Sequence, residues 1–169
     1  MSAADIVAVL RAVAVIPIVW ALAAERRDIA LVIFLVAAAS DAVDGWLARR
    51  AGRLGARGAF LDPLADKILV LGTLAALTLT SNGWPVAVAT VAIWARELIV
   101  VIPRASALQR NATLRADLAG KVKTVLEFAG VALIILGGRP WAVLGVIVLI
   151  PAFLLGVQTL PRYFRRRLT

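Results

Sequence analysis

Four aspartates form two pairs with helical spacing in residues 41–66. Asp41 and Asp44 are three residues apart, and Asp62 and Asp66 are four residues apart. Either spacing puts two side chains on one face of an α-helix, with Cβ atoms about 5–6 Å apart. Apolar runs flank the segment on both sides, so we expect each pair at the end of an apolar helix. Four carboxylates gathered in this way could bind divalent metal ions.

The sequence lacks the residues that other common metal and nucleophilic sites require. It contains no histidine and no cysteine, which excludes histidine-ligated zinc, thiolate ligands, disulfides and serine–histidine catalysis. Carboxylates are hard oxygen ligands, which suit Mg²⁺ or Mn²⁺. Four of them are enough for two ions about 3.5–4 Å apart, as in phosphoryl-transfer enzymes. Any general base must then be Asp or Glu, or less readily Lys or Tyr.

The residues after the first pair favour a phosphate ligand. Gly45 follows Asp44 and removes a side chain where a ligand could approach the helix backbone. Ala48 is small and lies on the same helix face, and Arg49 beside it can contact a phosphate. The segment therefore predicts metal ions and a diphosphate bound at a membrane boundary.

A simpler interpretation treats each aspartate separately. Asp62 before Pro63 resembles a helix N-cap with proline at the first helical position. Asp41 or Asp44 could pair with Arg49, and Asp66 with neighbours of Lys67 or with an arginine of the connecting loop. This interpretation does not explain why two helically spaced pairs converge at one depth, so we favour the metal site.

The composition indicates an integral membrane protein. The chain has 169 residues, 62% of them hydrophobic, with a mean hydropathy of +0.93, whereas soluble domains are about 45–50% apolar. We expect a single membrane domain over residues 1–169, without a cleavable signal peptide because Arg11 interrupts the first apolar run. The net charge of +9 fits basic cytoplasmic loops, and we expect no nucleic-acid partner.

Six apolar segments are long enough to cross a bilayer, which takes about 20 residues. They predict an all-α protein with six transmembrane helices at residues 6–24, 29–48, 60–80, 84–102, 118–137 and 141–160. With both termini on one side, the loops on that side carry most of the arginines and lysines. The positive-inside rule then puts both termini and the aspartates at the cytoplasmic face.

The spacing of the aspartates and their neighbours resembles the signature of the CDP-alcohol phosphotransferase family. The matching residues are Asp41, Asp44, Gly45, Ala48, Arg49, Gly58, Asp62 and Asp66. The resemblance implies six membrane helices, a homodimer and a CDP-linked donor bound on two divalent cations, Mg²⁺ or Mn²⁺. By similarity, all four aspartates bind the metals, and Asp66 is also the catalytic base. Asp44, Gly45, Ala48, Arg49 and Gly58 would then line the nucleotide and diphosphate pocket.

Three further stretches resemble the bacterial phosphatidylglycerophosphate synthase branch of that family. They are residues 61–67, the Arg96-Glu97 pair with Arg104, and residues 120–124. The resemblance implies transfer of a phosphatidyl group from CDP-diacylglycerol to glycerol 3-phosphate, with release of CMP, at the inner face of the cell membrane. Cationic groups on helices four and five suit the acceptor phosphate. The candidates are Arg96, Arg104, Lys121 and Lys123.

Two departures from that branch concern the acceptor and not the chemistry. Asp5 and Ala8 stand where the branch usually has Asn and Thr, and Glu127 stands where it usually has Gln. A cardiolipin synthase of the same superfamily, with phosphatidylglycerol as acceptor, therefore stays open. An inositol-phosphate acceptor fits less well because of Pro63 and Lys67. The intact aspartates argue against a non-enzymatic scaffold, and the absence of a charged path across the membrane argues against a transporter.

Overall fold

The protein is all-helical over the residues that its computed structural model describes. These are residues 3–50, 58–80, 83–109 and 118–165 for the backbone, and 6–40, 63–80, 83–99 and 120–158 for the side chains. The helices are α1 (Ala3–Val13), α2 (Val15–Ala23), α3 (Arg27–Arg50), α4 (Gly58–Thr80), α5 (Trp84–Gln109), α6 (Leu118–Leu136) and α7 (Arg139–Arg165). The predicted all-α class is confirmed.

The first predicted helix is divided into α1 and α2 by a local irregularity at Ala14. Pro17 has no N–H to donate to the carbonyl four residues earlier, so one helical hydrogen bond is lost. The chain nevertheless continues in the same direction, since Ala14 N donates to Leu10 O at 2.9 Å and Ile18 N donates to Ala14 O at 3.2 Å. Together α1 and α2 form one helical stretch with an irregularity at Ala14.

The structure corrects the N-cap interpretation of Asp62 and Pro63. Helix α4 begins at Gly58, and Pro63 lies inside it. A proline at this depth removes a helical hydrogen bond and crowds the preceding turn, which kinks or strains the helix. Asp62 is therefore a residue of the first helical turns and not the cap before them.

Two tight turns connect the helices at the end of the bundle opposite to the aspartates. After α2, Glu25 adopts φ 60°, and Arg26 N donates to Ala21 O at 2.8 Å, the pattern of a Schellman motif. Between α6 and α7, Gly137 and Gly138 have φ values of 80° and 78°. Glycine adopts this left-handed region without steric cost, so a short turn can reverse the chain.

Helix α4 lies at the centre of the bundle and packs against α1, α2, α3, α5 and α6. Its buried residues Leu69, Leu74 and Leu77 belong to a core that every other helix except α1 also enters. Across the core, Phe34 of α3 and Phe128 of α6 meet edge to face, with ring centroids 6.0 Å apart. The central position of α4 gives its side chains access to two different groups of neighbours.

Helices α6 and α7 pack closely through two glycines. A Cβ atom on Gly145 would lie 2.6 Å from Gly130 O, and a Cβ atom on Gly130 would lie 2.7 Å from the Leu149 side chain. Small residues that let helix backbones approach are typical of membrane helix pairs. The α6–α7 contact therefore depends on the absence of side chains at both positions.

The outer surface of the bundle is apolar. Large hydrophobic side chains such as Ile16, Trp20, Leu79 and Trp84 are more than half exposed, which is unfavourable in water and favourable in lipid. Within the described residues, three stretches are long and apolar enough to span a membrane: Ile6–Ala23, Pro63–Thr80 and Arg139–Gln158. These features are those of a membrane protein.

Candidate active site

The signature residues lie on α3 and α4, near the ends that the chain connects. Helix α3 ends at Arg50 and carries Asp41 and Asp44, and α4 begins at Gly58 and carries Asp62 and Asp66. Among the four aspartates, the structure describes the side chain of Asp66. The side chains of Asp41, Asp44, Asp62, Ala48, Arg49 and Arg104 lie outside the described residues, and their predicted roles stay predictions.

Asp66 is paired with a buried arginine from α1. Arg11 Nη1 donates a hydrogen bond to Asp66 Oδ1 at 2.8 Å, and the Arg11 side chain is completely buried while that of Asp66 is 19% exposed. Arg11 Nε also lies 3.5 Å from Ser40 Oγ, directly before the first signature aspartate. Arg11 therefore joins α1 to α3 and α4 at the level of the predicted metal site.

Arg11 was not predicted as a site residue, although the sequence contains a signal for it. A charged side chain within an apolar span is costly at about 2.5–3.5 kcal/mol near the helix centre, so it needs a partner. Residue spacing identifies partners within one helix, and the partner of Arg11 is 55 positions away in sequence. Only the packing of α1 on α4 identifies Asp66 as the partner of Arg11.

A second charged group lies beside α4, and we call it the Glu97 cluster. Its central carboxylate contacts cations from three helices: Lys67 Nζ lies 2.7 Å from Glu97 Oε2, and Lys123 Nζ lies 2.7 Å from Glu97 Oε1. Arg96 Nη1 also forms a salt bridge with Glu97 Oε1. Lys123 Nζ is 3.0 Å from Glu127 Oε1, one helical turn further along α6. The cluster comprises Lys67, Arg96, Glu97, Lys123 and Glu127.

Arg96 connects the Glu97 cluster to α7. Its Nη2 donates to the Gly156 carbonyl oxygen at 3.0 Å. A Cβ atom on Gly156 would lie 2.4 Å from Arg96 Nε, so the guanidinium occupies the space that a side chain would fill. Arg96 is only 7% exposed, and much of its hydrogen-bonding capacity is used within the protein.

The structure brings two of the four predicted acceptor-binding residues together. Arg96 and Lys123 both belong to the Glu97 cluster, whereas Lys121 is exposed on α6. Lys67 and Glu97 were noted in the sequence but not assigned to the acceptor site, and the structure places both in the cluster. The cluster contains three cations and two carboxylates, so it has a net positive charge.

The residues present fit a divalent metal on chemical grounds. Within the described side chains, no three acidic residues form a cluster, and the other three signature aspartates lie outside that part of the chain. All the signature ligands are carboxylates, and Asp66 is partly exposed at the end of the bundle where α3 and α4 meet. An all-oxygen donor set of this kind suits a hard cation.

The sequence is similar to proteins of one known enzyme family. Residues 1–158 match the model of the CDP-alcohol phosphatidyltransferase family. The chain is 37% identical over 144 residues to a probable phosphatidylglycerophosphate synthase of Mycobacterium tuberculosis, covering 84% of this chain and 67% of that protein. It is 34% identical over 128 residues to CDP-diacylglycerol–glycerol-3-phosphate 3-phosphatidyltransferase of Escherichia coli, covering 75% and 68%. The chain therefore belongs to the CDP-alcohol phosphatidyltransferase family.

Proposed function

We propose that this protein is a phosphatidylglycerophosphate synthase. It transfers a phosphatidyl group from CDP-diacylglycerol to glycerol 3-phosphate and releases CMP. The observation that carries this proposal is the division of charge on α4, where Asp66 pairs with Arg11 of α1 and the adjacent Lys67 pairs with Glu97 of α5. A metal-bound diphosphate and a phosphate-bearing acceptor could thus bind beside adjacent residues. The names of the relatives from M. tuberculosis and E. coli support the same reaction.

The donor binds at the signature segment. Asp41, Asp44, Asp62 and Asp66 would hold two divalent cations, which would supply positive charge for the diphosphate and for the leaving CMP. Arg49 contacts the diphosphate, while Gly45, Ala48 and Gly58 leave room for the nucleotide. The acyl chains of the donor remain in the lipid, because the bundle surface beside α3 and α4 is apolar.

Asp66 also accepts the proton of the acceptor hydroxyl. The protein contains no histidine or cysteine that could do so, and Asp66 lies one helical turn further into α4 than Asp62. Arg11 Nη1 binds one carboxylate oxygen, Oδ1, and thereby fixes the orientation of the group. The base needs only to accept the proton as the new P–O bond forms.

The acceptor phosphate binds at the Glu97 cluster. Lys67 and Lys123 supply ammonium groups at the edge of the cluster, and their side chains are 16% and 14% exposed. Lys121 is exposed on α6, the helix that carries Lys123, and Arg104, a residue of α5 whose side chain lies outside the described residues, is a further candidate. Charge-assisted hydrogen bonds from such groups are well suited to a phosphate monoester.

We further propose how the protein sits in the membrane. Residues 1–169 form one domain with six transmembrane spans, in which α1 and α2 together make the first. The arginines and lysines of the loops favour cytoplasmic termini and an active site at the cytoplasmic face of the cell membrane. The family resemblance favours a homodimer.

An assay of product identity tests this function. The purified protein in detergent is supplied with CDP-diacylglycerol and Mg²⁺, and separately with glycerol 3-phosphate, phosphatidylglycerol or inositol phosphate. We expect CMP release and phosphatidylglycerophosphate only with glycerol 3-phosphate, and loss of both with chelator. Cardiolipin formed from phosphatidylglycerol, without product from glycerol 3-phosphate, would contradict the proposal.

A further inference from the structure

We infer that Glu97 is a positioning residue that fixes Lys67 and Lys123 for the phosphate of the acceptor. This inference rests on the proposed function and deepens it. Glu97 would not itself touch the acceptor, because two negatively charged groups repel each other. Its role would be to hold cations from α4 and α6 close to each other, so that one phosphate can contact both.

The exposures within the Glu97 cluster indicate which groups an arriving ligand can reach. The Glu97 side chain is 4% exposed, whereas the Lys67 and Lys123 side chains are 16% and 14% exposed. The carboxylate therefore lies behind the two ammonium groups. A phosphate arriving from the exposed side meets lysine before it meets glutamate.

The two carboxylate oxygens of Glu97 are divided between the lysines. Oε2 contacts Lys67 and Oε1 contacts Lys123, each at 2.7 Å. An ammonium group has three N–H donors, and Lys123 uses two of them on Glu97 and Glu127. Among the described residues, these two carboxylates are the partners of Lys123, and its third N–H points to a ligand as its partner. Because a single carboxylate contacts both lysines, it also fixes the distance between α4 and α6 at this level.

Arg96 supports Glu97 from the opposite side. It binds the same oxygen as Lys123 and is held by the Gly156 carbonyl of α7. Long lysine side chains lose substantial rotamer freedom when they are ordered. If Glu97 already orders them, the acceptor does not have to do so on binding, and its affinity increases.

If Glu97 positions the lysines, its removal should change acceptor affinity in the direction opposite to that expected from charge alone. Glu97→Gln removes one negative charge from a net positive cluster, so attraction alone would strengthen the binding of an anion. If Glu97 positions the lysines, the same change weakens acceptor binding. Glu127→Gln is the graded comparison: it also removes one negative charge from the cluster, but among the described residues Glu127 contacts one cation, Lys123, whereas Glu97 contacts three.

The test is steady-state kinetics with purified wild type, Glu97→Gln, Glu97→Asp and Glu127→Gln. For Glu97→Gln, we expect the KM of glycerol 3-phosphate to rise about ten-fold, as for loss of one charge-assisted hydrogen bond. The KM of CDP-diacylglycerol should change by less than about two-fold. For Glu127→Gln, the acceptor KM should rise by less than for Glu97→Gln, because Glu97 still holds both lysines and only one contact of Lys123 is lost.

Glu97→Asp keeps the charge but shortens the side chain, so it should fold even if Glu97→Gln does not. We expect it to raise the acceptor KM in the same direction, because a shorter carboxylate cannot reach both lysines. An acceptor KM at the wild-type value or below in either folded Glu97 variant would overturn the inference. Equal changes in both substrates' KM would also overturn it. If the wild type makes no phosphatidylglycerophosphate, the proposed function fails instead.

Discussion

The two charged regions beside α4 differ in the balance of their charges. On one side, Arg11 pairs with Asp66, and the other three signature aspartates are predicted to bring carboxylates into excess. On the other side, three cations surround Glu97 and Glu127. The adjacent residues Asp66 and Lys67 belong to the two different regions. A short stretch of one helix can therefore serve ligands of opposite charge.

The comparison suggests how a small membrane protein separates two substrates that both carry phosphate. An acid-rich region binds a diphosphate only through cations, while a cation-rich region binds a phosphate directly. In each region, a charge of the opposite sign is already present inside the protein. Arg11 and Glu97 keep the excess charges from being buried without compensation, which is costly in a low-dielectric interior.

The largest expected effect is on the acid-rich side. Asp66→Asn should reduce turnover by at least about 100-fold, since both proton transfer and metal binding would be impaired. CMP release in saturating Mg²⁺ measures this. Asp28→Asn is the control: Arg26 Nε donates to this exposed carboxylate and lowers its pKa, but both groups are mostly exposed. That variant should retain wild-type activity, and comparable losses in both would contradict the assignment.

Loss of the buried guanidinium should affect stability and metal binding together. Arg11→Met leaves the Asp66 carboxylate without its partner from α1, and we expect destabilisation of about 3 kcal/mol, as for a buried ion pair with one member removed. Without the positive charge of Arg11 beside it, the Asp66 carboxylate should bind Mg²⁺ more tightly. Thermal unfolding with and without Mg²⁺ measures both effects.

In that experiment, Mg²⁺ should raise the Tm of Arg11→Met more than the Tm of the wild type, because a ligand stabilises the folded state that binds it. If Mg²⁺ shifts the two Tm values equally, Arg11 and the metal do not share Asp66. The acid-rich region would then be smaller than we propose.

A smaller effect is expected from a change that disturbs only the cation-rich side. Gly156→Ala puts a methyl group 2.4 Å from Arg96 Nε, and overpacking of this kind typically costs about 1–3 kcal/mol. Gly120→Ala is the matched control, because nothing lies within 4 Å of its added Cβ. We expect Gly156→Ala to lower the free energy of unfolding and to raise the KM of glycerol 3-phosphate. Gly120→Ala should change neither quantity. Equal behaviour of the two variants would mean that Arg96 adjusts freely.

Much of the fold could be predicted from apolar segments, because span length and turn residues are local properties. The predicted segment at 118–137 coincides with α6 to within one residue at its C-terminal end, and Gly137 and Gly138, both with positive φ, follow the helix. The irregularity at Ala14 and the start of α4 at Gly58 were missed. Both depend on how a proline is tolerated within a helix, which packing decides.

The site was only partly predictable, for a related reason. The aspartate pairs are visible because each pair lies within one helix, and helical spacing reveals it. The pairing of Arg11 with Asp66 and the convergence of Lys67, Glu97 and Lys123 involve residues on different helices. Such contacts depend on helix packing, and a single sequence contains no direct signal for them.

The most direct test of the division of charge on α4 is the kinetics of Lys67→Gln. Lys67 is next to Asp66 in sequence but forms its salt bridge with Glu97. We predict that the KM of glycerol 3-phosphate rises about ten-fold in this variant while the KM of CDP-diacylglycerol changes by less than about two-fold. If the donor KM rises as much as the acceptor KM, or if neither changes, residues 66 and 67 do not serve separate substrates.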